Sequence, residues 1–310
     1  MGDGGVTAIG FFARQAVHAR SGNRGQAMAL FLVVAGTLLS VVFVSIALNH
    51  VYIGRVASAN AVDSIALSAA TWEARGLNLI AALNDGVTQC LRVIRSTCAV
   101  WATLAVAAAF GVGVPAFLSF TRQARRLVSG YWDTAHLLVS WSEKIRKITP
   151  YLVLGEATSL ARKRNVTGAI YPWNPKGPHD GKNTLELHLA PGPPIHLSEA
   201  VAPVTGALNR LKNIRFLGGA AKAVIAALDA ALRVVLGNTK GPIRLLVPEK
   251  DFRERQRVGY AGFLSHPSLP IPFLNLAGTG RFPSSAEAEP YGGGPTEMTW
   301  KSRLRERSAP

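Results

Sequence analysis

Acidic residues are scarce in this chain. Asp plus Glu number 18 against 34 Lys plus Arg, which leaves a net charge of +16. An excess of that size draws a protein toward nucleic acid, an anionic membrane surface or acidic polymers. The basic residues are spread from Arg14 to Arg307, with no Lys/Arg run of five or more. No aromatic-interleaved basic strand of the kind that reads RNA is present, so nucleic acid is not the expected partner. Phospholipid headgroups are. Cysteine is nearly absent. Cys90 and Cys98 stand eight residues apart, a rise of about 12 Å on a helix. A disulfide needs Cα atoms within about 7 Å, so a helical segment keeps them unpaired. Without a CxxC or HxxxH spacing they make no zinc site, and both read as small buried apolar residues.

Motifs that carry chemistry are also missing. There is no G-x-S-x-G, P-loop or G-x-G-x-x-G. The seven histidines, His18, His50, His136, His179, His188, His196 and His266, show no helical metal-ligand spacing. His188 and His196 flank a Pro-rich turn, and with Glu186 they form the one conceivable two-His site. Gly111-Val-Gly113 precedes a proline inside an apolar block and reads as a helix break, not a phosphate cradle. Asn165-Val166-Thr167 fits a glycosylation sequon, a pattern common by chance. Asp63 reads as a solvated carboxylate or as a registry contact with a neighbouring helix. The sequence therefore points to no catalytic, cofactor-binding or metal residues. No cofactor, no small-molecule substrate and no enzymatic activity are expected.

What the chain does have is apolar length, with 48% hydrophobic residues and a mean hydropathy of +0.20. Residues 1–26 are polar and carry Arg14, Arg20 and Arg24. From Ala27 to Asn49 there is no charge. Twenty-three residues rise about 34 Å, enough for a hydrocarbon core of about 30 Å. A cleavable signal has a shorter core of about 7 to 15 residues. The expectation is a transmembrane helix at 27–49 behind a cytoplasmic segment at 1–26, because arginines precede the span. Beyond it the sequence is Ala-rich and free of proline until Pro115, so the helix runs on.

A helical region is expected at 50–165. It holds a second uncharged block at 97–120, which by length could also span. Gly111, Gly113 and Pro115 interrupt that block after about fourteen apolar residues, fewer than the roughly twenty a span requires. A single-pass chain would instead bury Trp101, Leu104 and Phe110 against the next helix. That next helix has apolar residues at Leu127, Tyr131, Leu138, Trp141, Ile145, Ile148 and Leu152, at helical spacing. Pro150 is expected to bend or end it. Tyr171 to Pro194 reads as loop, with an alternating strand from Thr184 to Ala190 inside it. Leu197 to Gly237 reads as helix, broken near Gly218-Gly219. Ile243 to Val247, Val258 to Ser265 and Ala286 to Tyr291 read as strands. Helices followed by strands give an α+β fold. Its long N-terminal helix continues into further helices, and a small antiparallel sheet packs on helices within a C-terminal domain at 166–305. A loose tail at 306–310 follows.

The run RGQAMALFLVVAGTLL, with the Asn60 to Ala70 segment and the Ala74-Arg75-Gly76-Leu77-Asn78 step, resembles the TadE/TadG-like proteins of tight-adherence (Flp) pilus systems. So does the closing AEAEPYGGGPTEMTW with KSRLR. The likeness brackets the chain at about 24–85 and 285–305. It implies an inner-membrane-anchored structural or assembly component with an exported C-terminal region, and pilus-assembly proteins or other membrane helices as partners. A membrane-anchored binding or adhesion module unrelated to pili is the alternative. Prepilins carry a Glu five residues after the processing Gly, and counting from Gly25 that place holds Leu30. Cleavage at Gly25–Gln26 is therefore not expected.

Overall fold

The computed structural model describes residues 7–172, 185–212, 241–265 and 281–305, with isolated positions between 213 and 240. The chain is α+β. Helix α1 (Thr7–Ala109) and helix α2 (Val114–Lys163) precede strand β1 (Val166–Tyr171). Strand β2 (Leu189–Pro191), helix α3 (Leu197–Lys212) and strand β3 (Leu246–Pro248) follow, then one helical turn at Phe252–Arg255. Strands β4 (Val258–Ser265), β5 (Arg281–Tyr291) and β6 (Lys301–Leu304) complete the chain. A four-stranded sheet has the order β1-β4-β5-β6, and a two-stranded ribbon pairs β2 with β3. The β5–β6 pairing is antiparallel, with Glu289 opposite Arg303 and Tyr291 opposite Lys301.

By contact density the chain divides into two units. One comprises residues 1–58 and 264–283, the other residues 59–263 and 284–310. In the first, the described surface of α1 is exposed from Gln26 to Ile53 apart from a few half-buried positions. Within Gln26–Ala108 the most apolar eighteen-residue window has a mean hydropathy of 2.6, and none of that window is buried. Among the described residues, one helix is long and apolar enough to cross a membrane. Its hydroxyls do not break the apolar surface. Thr37, Ser40 and Ser45 each return a hydrogen bond to the carbonyl three or four residues back, at 2.8 Å. Burial begins at Gly54, where a side chain would collide with the Phe282 ring. One turn on, Ser58 donates to the Phe282 carbonyl at 2.6 Å.

In the second unit α1 and α2 form an antiparallel hairpin. Trp101 Nε1–H donates to Thr121 Oγ1 at 2.9 Å, and Ser68 Oγ to Glu156 Oε1 at 3.4 Å. Gly86 faces Leu138, and Gly76 faces Thr149 so closely that a Cβ there would lie 2.6 Å from its hydroxyl. Each pair sums to nearly the same number, as an antiparallel register requires. The turn between the helices is built by Gly111 (φ 84) and Gly113 (φ 72). Gly111 N–H bonds Ala108 O at 2.9 Å and Val112 N–H bonds Ala107 O at 3.1 Å, the two bonds of a Schellman stop. Pro115 then opens α2, where a missing N–H costs nothing. Val87, Ile94, Trp101, Val128 and Trp132 form the hairpin core, onto which α3 packs Leu197, Ala200 and Val201.

Several expectations need correction. The buried stripe of α2 is Ala124, Val128, Trp132, Ala135, Ser142, Thr149 and Val153. Tyr131, Leu138 and Ile145 pack half-buried against the core as expected, but Leu127, Trp141, Ile148 and Leu152 face outward, Ile148 at 53% exposure. Small residues let the helices approach closely along this face, and Val128, Trp132 and Val153 fill the space between them. Helix α2 continues through Pro150 to Lys163. It stops where Asn165 takes a left-handed conformation (φ 53) and donates its N–H to Arg162 O. Of the three residues expected against α2, Trp101 is buried and Leu104 half-buried, but Phe110 sits in the turn and is 67% exposed. The strand expected over Thr184 to Ala190 is confined to Leu189–Pro191, and residues 185–188 are not strand. Strand β1 matches no expected strand; only the sequon at Asn165 to Thr167 and the first loop residue, Tyr171, overlap it. The strand at Val258 to Ser265 is found as expected, and the last long strand begins earlier, at Arg281. Residues 173–184 of the expected loop, most of the expected helix beyond Lys212 and the tail at 306–310 lie outside the described residues.

Candidate functional site

Helix α1 presents a polar row to the end of the chain. Asn78 Nδ2–H donates to Trp300 O at 3.1 Å, and Trp300 N–H donates to Asn78 Oδ1 at 3.0 Å. Thr71 and Ser302 share a hydroxyl bond at 2.8 Å. Asn84 Nδ2, buried, donates to Leu246 O and to Pro295 O, both at 2.8 Å. Trp300 thereby closes an apolar cluster with Ala74, Leu77, Ile80, Leu187, Leu246 and Phe252. The α1 segment near 74–78 and the segment 285–305 are thus in direct contact.

Beside this contact lies a cleft of about 750 Å³ between the Pro248–Phe252 segment and the Glu289–Pro295 turn. Its floor is the Phe252–Trp300 ring pair, 5.1 Å between centroids. On its rim the Arg303 guanidinium stands 5.0 Å above the Tyr291 ring and donates through Nε and Nη2 to Glu289 Oε1, at 2.9 and 2.6 Å. Arg255 holds Glu249 at 2.8 Å. The turn takes a positive φ at Gly292 and Gly293, and a side chain at Gly293 would run into the Trp300 indole. Glu249 and Glu289 are each tied to an arginine, and Lys250 and Asp251 complete the charged lining. The site offers an aromatic floor and a polar edge.

Glu73 is the most unusual ionisable group among the described residues. It lies on α1 with no solvent exposure, and neither carboxyl oxygen has a hydrogen-bond partner. Burial raises its pKa to about 8, against a smaller opposing effect of the neighbouring Gln256 side chain. Gln256 is itself buried, and its Oε1 accepts the His188 backbone N–H at 2.8 Å. The carboxyl is therefore neutral at pH 7, a state that a low-dielectric site favours.

The residues weighed in the sequence fall as follows. Cys90 and Cys98 are buried and unpaired on α1. His188 lies just before β2, half-buried, and burial followed by the nearby Arg255 lowers its pKa. His196 is exposed before α3, and Glu186 is half-buried in the extended segment. Among the described residues no three His, Cys, Asp or Glu gather as metal ligands. The cleft and Glu73 were not foreseen. The Gly292–Gly294 run ahead of Trp300 signals the tight turn, but nothing local signals that Glu73 faces inward. No protein-family model, curated protein or solved structure matches the chain.

Proposed function

We propose that this protein is an inner-membrane-anchored, non-catalytic structural or assembly component of a tight-adherence (Flp) type pilus apparatus. The anchor is the uncharged run from Ala27 to Asn49, with the N-terminus cytoplasmic and the region after the span exported. The observation that carries the anchoring is the exposed apolar surface of α1, with its hydroxyls returned to helix carbonyls. Unpaired polar groups would make such a surface costly in lipid. The pilus reading draws support from the contact between the two resembling segments, through Asn78 and Trp300. Partner helices have a candidate surface in the outward row of Leu127, Trp141, Ile148 and Leu152 on α2. The mechanism is physical: one helix anchors, an outward helix face pairs with membrane or assembly partners, and basic residues meet anionic headgroups.

The cleft over Phe252 and Trp300 favours a second reading, an anchored binding or adhesion module unrelated to pili. Carbonate extraction of membranes tests the anchor. The protein should stay in the pellet, and Val41→Arg should release a large share of it, since a charge at the helix centre costs about 2.5 to 3.5 kcal/mol. Full recovery in the carbonate supernatant would contradict anchoring. Co-purification of the native protein with membrane components of the pilus machinery would separate the first reading from the second.

A further inference from the structure

We infer that the tip of the α1–α2 hairpin is a second membrane contact, separate from the N-terminal span, which inserts into one leaflet of an anionic bilayer. Three observations converge on residues 96–121. The tip is apolar and uncovered, with Phe110 67%, Val112 65% and Leu118 55% exposed. Its polar groups are spoken for. Ser96, Thr103, Ser119 and Thr121 donate to helix carbonyls, and Trp101 Nε1–H is bound by Thr121. The last turn of α1 ends in a complete Schellman pair, and Pro115 removes a donor from the first turn of α2. A turn whose backbone is capped in this way meets the condition lipid imposes on irregular backbone.

The charge pattern names the occupant. No acidic residue lies between Asp85 and Asp133, whereas Arg92, Arg95, Arg122, Arg125 and Arg126 do, all exposed. Counted along the helices at about 1.5 Å per residue, these arginines stand from about 12 Å (Arg122) to about 26 Å (Arg92) behind the tip. One leaflet with its headgroups is about 20 Å deep. A tip seated in the acyl region would hold the arginines at the phosphate level, with long side chains reaching for it. The limbs are too short to cross, so the contact is monotopic. A second copy of the chain would instead bring like-charged collars together.

The test uses the full chain, with its N-terminal span held in a zwitterionic nanodisc and Phe110→Cys labelled with an environment-sensitive dye. Cys90 and Cys98 are buried and should remain unlabelled. On addition of phosphatidylcholine–phosphatidylglycerol vesicles the emission should shift to the blue and be quenched by shallow spin-labelled lipid. Pure phosphatidylcholine should give a weaker response. Reversing Arg122, Arg125 and Arg126 to Glu should abolish the preference for anionic vesicles without changing helix content. Replacing them by Gln should weaken partitioning about fivefold per residue, equivalent to about 1 kcal/mol each. A dye that stays accessible to aqueous iodide with both lipids overturns the inference. So does quenching that depends on protein concentration and not on lipid, which would mean that a second copy covers the tip.

Discussion

Asn78 and Trp300 exchange two hydrogen bonds across 222 residues of chain, the amide of one clamping both backbone groups of the other. The clamp seats the indole over Phe252 and sets the start of β6 against α1. Asn78→Ala leaves a carbonyl and an N–H without their partners. It should cost about 2 kcal/mol, at about 1 kcal/mol net per bond. Asn78→Asp retains the acceptor and should fall between. Thermal melting of the full chain in detergent checks both, and a variant that melts with the wild type would show that the clamp carries no stability.

Gly293 combines a φ of 68 with contact against the Trp300 ring. Gly293→Ala should therefore destabilise by more than 1 kcal/mol, through strain and through displacement of the indole. Gly155 is the matched control, an exposed helical glycine with open space at its Cβ. Gly155→Ala should stabilise by about 0.5–1 kcal/mol. Melting temperatures that move the same way in both variants would contradict the assignment.

Glu73 makes stability depend on pH. Below about pH 4.5 its carboxyl is protonated in both folded and unfolded chains. Between there and its folded value of about 8, only the unfolded chain ionises, so stability falls as pH rises. At about 1.4 kcal/mol per pH unit, the loss is on the order of 4 kcal/mol by pH 8. Glu73→Gln should remove this slope and raise the melting temperature at pH 8 above that of the wild type. Parallel pH profiles for the two proteins would refute the buried, neutral carboxyl.

The long helix was legible because nothing in the sequence interrupts it before Gly111, and the turn because two glycines and Pro115 stand together. The face of α2 was not. Reading Leu127, Trp141 and Ile148 as buried follows hydrophobicity alone, whereas the packed face mixes small residues with Val128 and Trp132. Gly76 against Thr149 and Gly86 against Leu138 set a close approach that Ala124, Ala135 and Ser142 accommodate. Strand β1 was hidden because Asn165 suggested a sequon, when its left-handed backbone is the stop of α2. The cleft depends on Phe252, Tyr291 and Trp300 meeting, and Glu73 on what surrounds it. Both are long-range outcomes that no local pattern encodes.

The proposed helix anchors the chain and delivers its C-terminal region across the inner membrane. The most direct measurement fuses a phosphatase, and separately a fluorescent protein that matures only in the cytoplasm, after Arg303. Anchoring through Ala27 to Asn49 with one crossing predicts an active phosphatase and a dark fluorescent protein. A fluorescent fusion with inactive phosphatase would place that region in the cytoplasm and contradict an exported assembly component.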